Sequence, residues 1–281
     1  MLNSKLKKNS LETLKKLNNQ YSELGEIVQT NSIELLDIRN DSSNSIKEIE
    51  NYVNTLANKP KEFDITFAEV KIYMEKFQAI LDIEYDEKKA NQISGGIAGA
   101  GVAMGAGVAA FGPTAALAVA TTFGTASTGT AISALSGAAA TKAALAWLGG
   151  GALAAGGGGM VAGKALLALA GPVGWAIGGS ALVGGALFAN KKNKDLAVQA
   201  QNESIEVQKQ IAILDAANIE IHELIELNTL HLANIEQQLA LLTETGPSDY
   251  GDFTVEQKQE IGSLVNNTLS LSKLINKKVG K

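Results

Sequence analysis

The chain has 281 residues, a net charge of −5, no cysteine and a single arginine, Arg39. Without cysteine it has neither a disulfide framework nor a thiolate metal site. An acidic balance lacking a basic patch argues against nucleic acid as a partner.

The averages conceal two unlike compositions. Residues 1–89 carry 13 Lys/Arg and 16 Asp/Glu, and residues 191–281 carry 9 and 13. Residues 90–190 carry two lysines, no acid and 24 of the 29 glycines. Soluble surfaces need charge, so the chain divides into an N-terminal segment (1–89), a hydrophobic Gly/Ala-rich block (90–190) and a C-terminal segment (191–281). The N-terminus MLNSKLKKNSLETLKKL has lysines but no unbroken apolar stretch, which is not the pattern of a secretory signal.

In the first segment Leu14, Leu17, Tyr21, Leu24, Val28, Asn31, Leu35 and Ile38 step by three and four, as along one side of a helix. The phase slips at Asp41–Asn44, where Ser45 with Glu48 predicts a capping box and a fresh helix start. Lys59-Pro60 ends this stretch. A second helix is expected from about Thr66 to Lys89.

The block itself offers two candidate membrane spans, Ile93–Ala120 and Ala165–Ala189, each exceeding the roughly 20 apolar residues a bilayer core requires. Pro113 and Pro172 kink or divide them. The interior, with its Thr/Ser stretch from Thr121 to Ser136 and its run GGGALAAGGGG, reads equally as further spans, a re-entrant segment or a translocated loop. Gly95, Gly99, Gly101 and Gly105, and then Ala176, Ser180 and Gly184, set small residues four apart. Such stripes let helix backbones approach closely in lipid. Lys88 and Lys89 precede the block, and Lys191 and Lys192 follow it. Lysines at both borders place both ends on one side of the membrane, requiring an even number of crossings. Lys142 and Lys164 cost roughly 3 kcal/mol each in hydrocarbon, so a hairpin tip or a water-facing pore wall is their expected place.

In the C-terminal segment Ile211, Leu214, Asn218, Ile221, Ile225, Asn228, Leu232, Ile235, Leu239 and Leu242 keep the three-four step, and further leucines widen the stripe. A wide stripe indicates a bundle of several helices that packs with the N-terminal segment. The loop TGPSDYGD breaks the helix, and Thr254 with Gln257 caps a last one. Asn31, Asn218 and Asn228 lie on the seams, either to set register or at a solvated edge.

Two rival signals fail on chemistry. Gly158 to Ala165 nearly spells a phosphate-binding loop, but Ala165 replaces the hydroxyl that holds Mg²⁺ and the block has no acid to assist it. His222 and His231 lie nine residues apart on one helix, hence on opposite faces, and cannot share a metal. No nucleophile–base set emerges, no cofactor is implied, and the chain reads as a non-enzyme.

The order of amphipathic helices, one long charge-free block and amphipathic helices again resembles the α-helical pore-forming toxins of the cytolysin A and tripartite haemolysin type. The Ala/Gly character of 95–120 and 165–189 resembles the hydrophobic hairpin of pore-forming colicins. The resemblance implies an all-α bundle that shelters an inserting hairpin, a lipid bilayer as target, and assembly with itself or with related helical subunits. A non-lytic membrane anchor that recruits partners through its helices is the alternative.

Overall fold

The computed structural model describes residues 4–81, Ala118, Thr121, Thr122 and residues 193–279. The described chain is all-α: α1 (Ser4–Thr55), α2 (Lys61–Leu81), α3 (Asn193–Thr245), a single 3₁₀ turn (Tyr250–Asp252) and α4 (Val255–Leu274). No described helix is long and apolar enough to cross a membrane.

The elements form two hairpins of one design, each a long helix followed by a short one. Cross-contacts fix their relation. Asn31 meets Asn218, Ser45 meets Glu236, and Tyr52 meets Leu242. The partner stays about 190 residues ahead as the chain advances, so α1 and α3 run parallel. Glu69 pairs with Lys273 at 2.9 Å, and Asn276 donates to the Tyr73 carbonyl at 3.0 Å, so α2 and α4 also run parallel to each other.

The α1 seam is simpler than the sequence pattern suggested. Leu14, Tyr21, Val28, Leu35, Ser42, Ile49 and Leu56, spaced seven apart, are all buried. The expected break at Asp41–Asn44 does not occur, and α1 runs through it. Ser42 occupies the seam because its hydroxyl donates to the Ile38 carbonyl at 2.8 Å, leaving no unmet donor. Ser45 does not cap a helix: its hydroxyl donates to Glu236 Oε1 across to α3 at 2.8 Å. Helix α3 repeats the spacing with Ala200, Val207, Leu214, Ile221, Asn228, Ile235 and Leu242, again all buried.

One end of the bundle is closed. Ala57 N–H donates to the Ser248 carbonyl and Tyr250 N–H to the Ala57 carbonyl, both at 2.9 Å, joining the two hairpin loops. Asn58 enters the left-handed region at φ 55°, which Asn tolerates, and its amide donates to Asp249. Beneath, Phe63 meets Tyr250 edge to face and Tyr250 stacks on Phe253. Thr254 and Gln257 make the expected capping box. Around this end all four helices share one core, including Ile46, Ile49, Phe67, Phe77, Ile235, Leu264 and Leu271.

Helices α2 and α4 are short, so they stop midway along α1 and α3. Ile80 near the end of α2 packs in the same cluster as Leu35. Beyond that level, among the described residues, α1 and α3 continue as a pair. Asn193, where α3 begins, lies level with the start of α1. Leu81, at the end of α2, therefore lies at mid-height and Asn193 at the open end, roughly 48 Å away at 1.5 Å per helical residue.

Candidate functional site

The sequence-predicted positions Gly95, Gly99, Gly101, Gly105, Ala176, Ser180 and Gly184, the interior Lys142 and Lys164, and the border Lys88, Lys89, Lys191 and Lys192 lie outside the described residues. What the structure does place is one point of the block. Ala118, Thr121 and Thr122 are helical and fully buried, and Ala118 belongs to the four-helix core.

The seat is built around Arg39. It projects from α1 one residue after Ile38, at the level where α2 and α4 end, and it is fully buried. One guanidinium nitrogen, Nη1, donates to the Thr121 carbonyl at 3.2 Å, and Nη2 donates to the Lys277 carbonyl at 2.6 Å. Its Nε has no partner among the described residues. Burial pulls the Arg39 guanidinium down to about 9, because a cation removed from water loses its hydration. A second cation converges on the same oxygen: buried Lys278 also donates to the Thr121 carbonyl. The next carbonyl, that of Thr122, accepts from Val279 N–H at 3.1 Å. Thr121 itself is tied inward, its hydroxyl donating to the Ala118 carbonyl at 2.8 Å.

The segment following α4 thus crosses from the short helices to the block and bonds it along consecutive peptides. Charge-assisted hydrogen bonds of this kind are stronger than neutral ones. Yet a guanidinium whose acceptors are peptide carbonyls recovers less of its desolvation cost than one paired with a carboxylate. The seat combines tight geometry with a cation that is expensive to keep dry.

A second polar layer crosses the α1–α3 pair. Asn31 Nδ2 donates to Asn218 Oδ1 at 2.7 Å and lies 3.0 Å from His222 Nε2. Of the two readings for the seam asparagines, this one fits register: side chains on two helices meet only when those helices are aligned. His222 therefore reaches α1 through Asn31. Asn228 is different. It is buried and donates back to the Leu224 carbonyl at 2.7 Å, and its Oδ1 has no partner among the described residues.

Among the described residues no group of three or more His, Asp or Glu side chains is placed to hold a metal. A shallow groove of about 470 Å³ lies between α1 and α3 at the open end, lined by Leu6, Ser10, Ser204 and Ile205 among others.

In the sequence Arg39 bears only on net charge. Its being the sole arginine, within an apolar seam, was the available signal. Lys278 and Thr121 carried none, since each acquires meaning only from the fold. No family model, no curated protein and no solved structure matches the chain.

Proposed function

We propose that this chain is a membrane-active protein that stores a Gly/Ala-rich block beside a helical bundle and inserts it into a lipid bilayer, permeabilising it. The observation that carries the reading is the composition of residues 90–190: two lysines, no acid and 24 glycines between two charged flanks. Such a stretch cannot form a hydrated surface, whereas in lipid its small residues allow close helix packing. The border lysines favour an even number of crossings, with the bundle held on one face. The seating of Ala118, Thr121 and Thr122 on the bundle supports a stored state. Assembly with further copies follows from the need to line a pore, and no step requires a cofactor, a nucleic acid or catalysis.

One feature favours the alternative, a non-lytic anchor that recruits partners. Val198, Ile205 and Ile219, seven and then fourteen residues apart, lie on the outside of α3, each about half exposed. Release of an encapsulated dye from phosphatidylcholine/phosphatidylglycerol vesicles separates the two. The pore reading requires release that depends on residues 94–188. Flotation with vesicles without release favours the anchor.

A further inference from the structure

We propose that Arg39, together with the Lys277–Val279 segment, is a lock that holds the block on the bundle and must open before insertion; the proposal rests on the membrane-active reading and names its control.

Three observations converge. First, a fully buried guanidinium with two carbonyl acceptors and an unpartnered Nε is a poor device for stability alone. An apolar side chain of similar volume in such a place is commonly as stable or more so. Secondly, its two acceptors come from segments 82 and 238 residues away, one in the block and one after α4. Arg39 thereby ties α1, the block and the segment after α4 together through one side chain. Thirdly, Lys278 and the Val279 amide reinforce the same two consecutive carbonyls, those of Thr121 and Thr122.

The lock has two states. While Thr121 is seated, the cation is satisfied by fixed dipoles. When Thr121 leaves, Arg39 retains the Lys277 carbonyl as its acceptor, and water must enter to hydrate the rest. Release is therefore all-or-none at this level, since partial withdrawal strands a dry charge. The position suits the role. The seat lies at the height where α2 and α4 end, so opening there frees the block while the closed end of the bundle stays intact.

The test uses the full chain and two readouts. Arg39→Met keeps an unbranched apolar stem and removes the charge and the donors. Hydrogen exchange at the Thr121 and Thr122 amides should accelerate by about 10- to 100-fold, the worth of one or two charged hydrogen bonds, with α1 and α3 protection unchanged. Dye release from the same vesicles should accelerate in step. A Thr122→Cys/Val279→Cys variant retains Arg39, and the chain has no other cysteine. Oxidised, it should be silent on vesicles, and reduction should restore release.

Unchanged exchange at Thr121 and Thr122 in Arg39→Met overturns the lock, as does an oxidised variant that leaks as fast as the reduced one. If Arg39→Met does not fold, the disulfide comparison decides. Faster exchange in a protein that never releases dye upholds the lock and removes the pore reading instead.

Discussion

The parallel arrangement of the two hairpins makes an unusual demand on any variant lacking the block. Deleting Ser94–Phe188 leaves about 16 residues, 82–93 and 189–192, to connect α2 to α3. They must span roughly 48 Å from mid-bundle to the open end. Fully extended they reach about 53–58 Å, so the link is possible but taut. As a flexible chain of this length its root-mean-square span is about 22 Å. Gaussian stretching to 48 Å then costs about 7 RT, or roughly 4 kcal/mol. Inserting about 24 Gly/Ser residues raises the relaxed span to about 35 Å and lowers the cost to roughly 1.7 kcal/mol. The direct deletion should therefore be less stable than the linkered one by about 2–3 kcal/mol in urea unfolding followed by circular dichroism, with the difference in midpoint rather than slope. Equal midpoints would refute the parallel topology, because they would mean that Leu81 and Asn193 lie close together.

Other consequences concern the described residues directly. Tyr21 is buried in the α1 seam, and burial raises its phenol well above the usual 10. The unfolded chain then ionises Tyr21 near pH 10 while the folded chain does not. Its contribution is present below pH 10 and is lost as pH rises beyond it, at about 1.4 kcal/mol per unit. Unfolding curves of the wild type and Tyr21→Phe, compared at pH 9 and pH 11, should show this slope in the wild type only. Gly246→Ala should destabilise by about 1–3 kcal/mol, since a Cβ there would collide with the Leu242 carbonyl oxygen and meet the Tyr52 hydroxyl at 2.9 Å. A midpoint unchanged by Gly246→Ala would mean that the closed end yields easily. Asn31→Ala and Asn218→Ala, measured singly and together, should show a coupling of about 0.5–1.5 kcal/mol. Strict additivity would show that the polar layer does not hold register.

Much of the bundle was legible because period and capping are local properties. The seam from Leu14 to Ile38, the stop at Lys59-Pro60 and the cap at Thr254 follow from residues within a few positions of one another. The apparent slip at Asp41–Asn44 misled because a serine in an apolar register reads as an interruption. Ser42 satisfies itself on the Ile38 carbonyl, so the helix had no reason to break. The direction of pairing was not legible: a repeating apolar stripe serves parallel and opposed helices alike, and only contacts such as Asn31 with Asn218 decide. The seat was least legible of all. Thr121 and Lys278 are ordinary in their local sequence, and their relation to Arg39 exists only after α1, the block and the segment following α4 have been brought together.

The central claim is that residues 90–190 enter a bilayer and open it. Dye release from phosphatidylcholine/phosphatidylglycerol vesicles, comparing the full chain with the linkered deletion of 94–188 at equal helical content, tests it most directly. The account predicts release by the full chain and none by the deletion. Equal release by both, or none by the full chain under conditions in which Thr121 and Thr122 have lost their exchange protection, would contradict it.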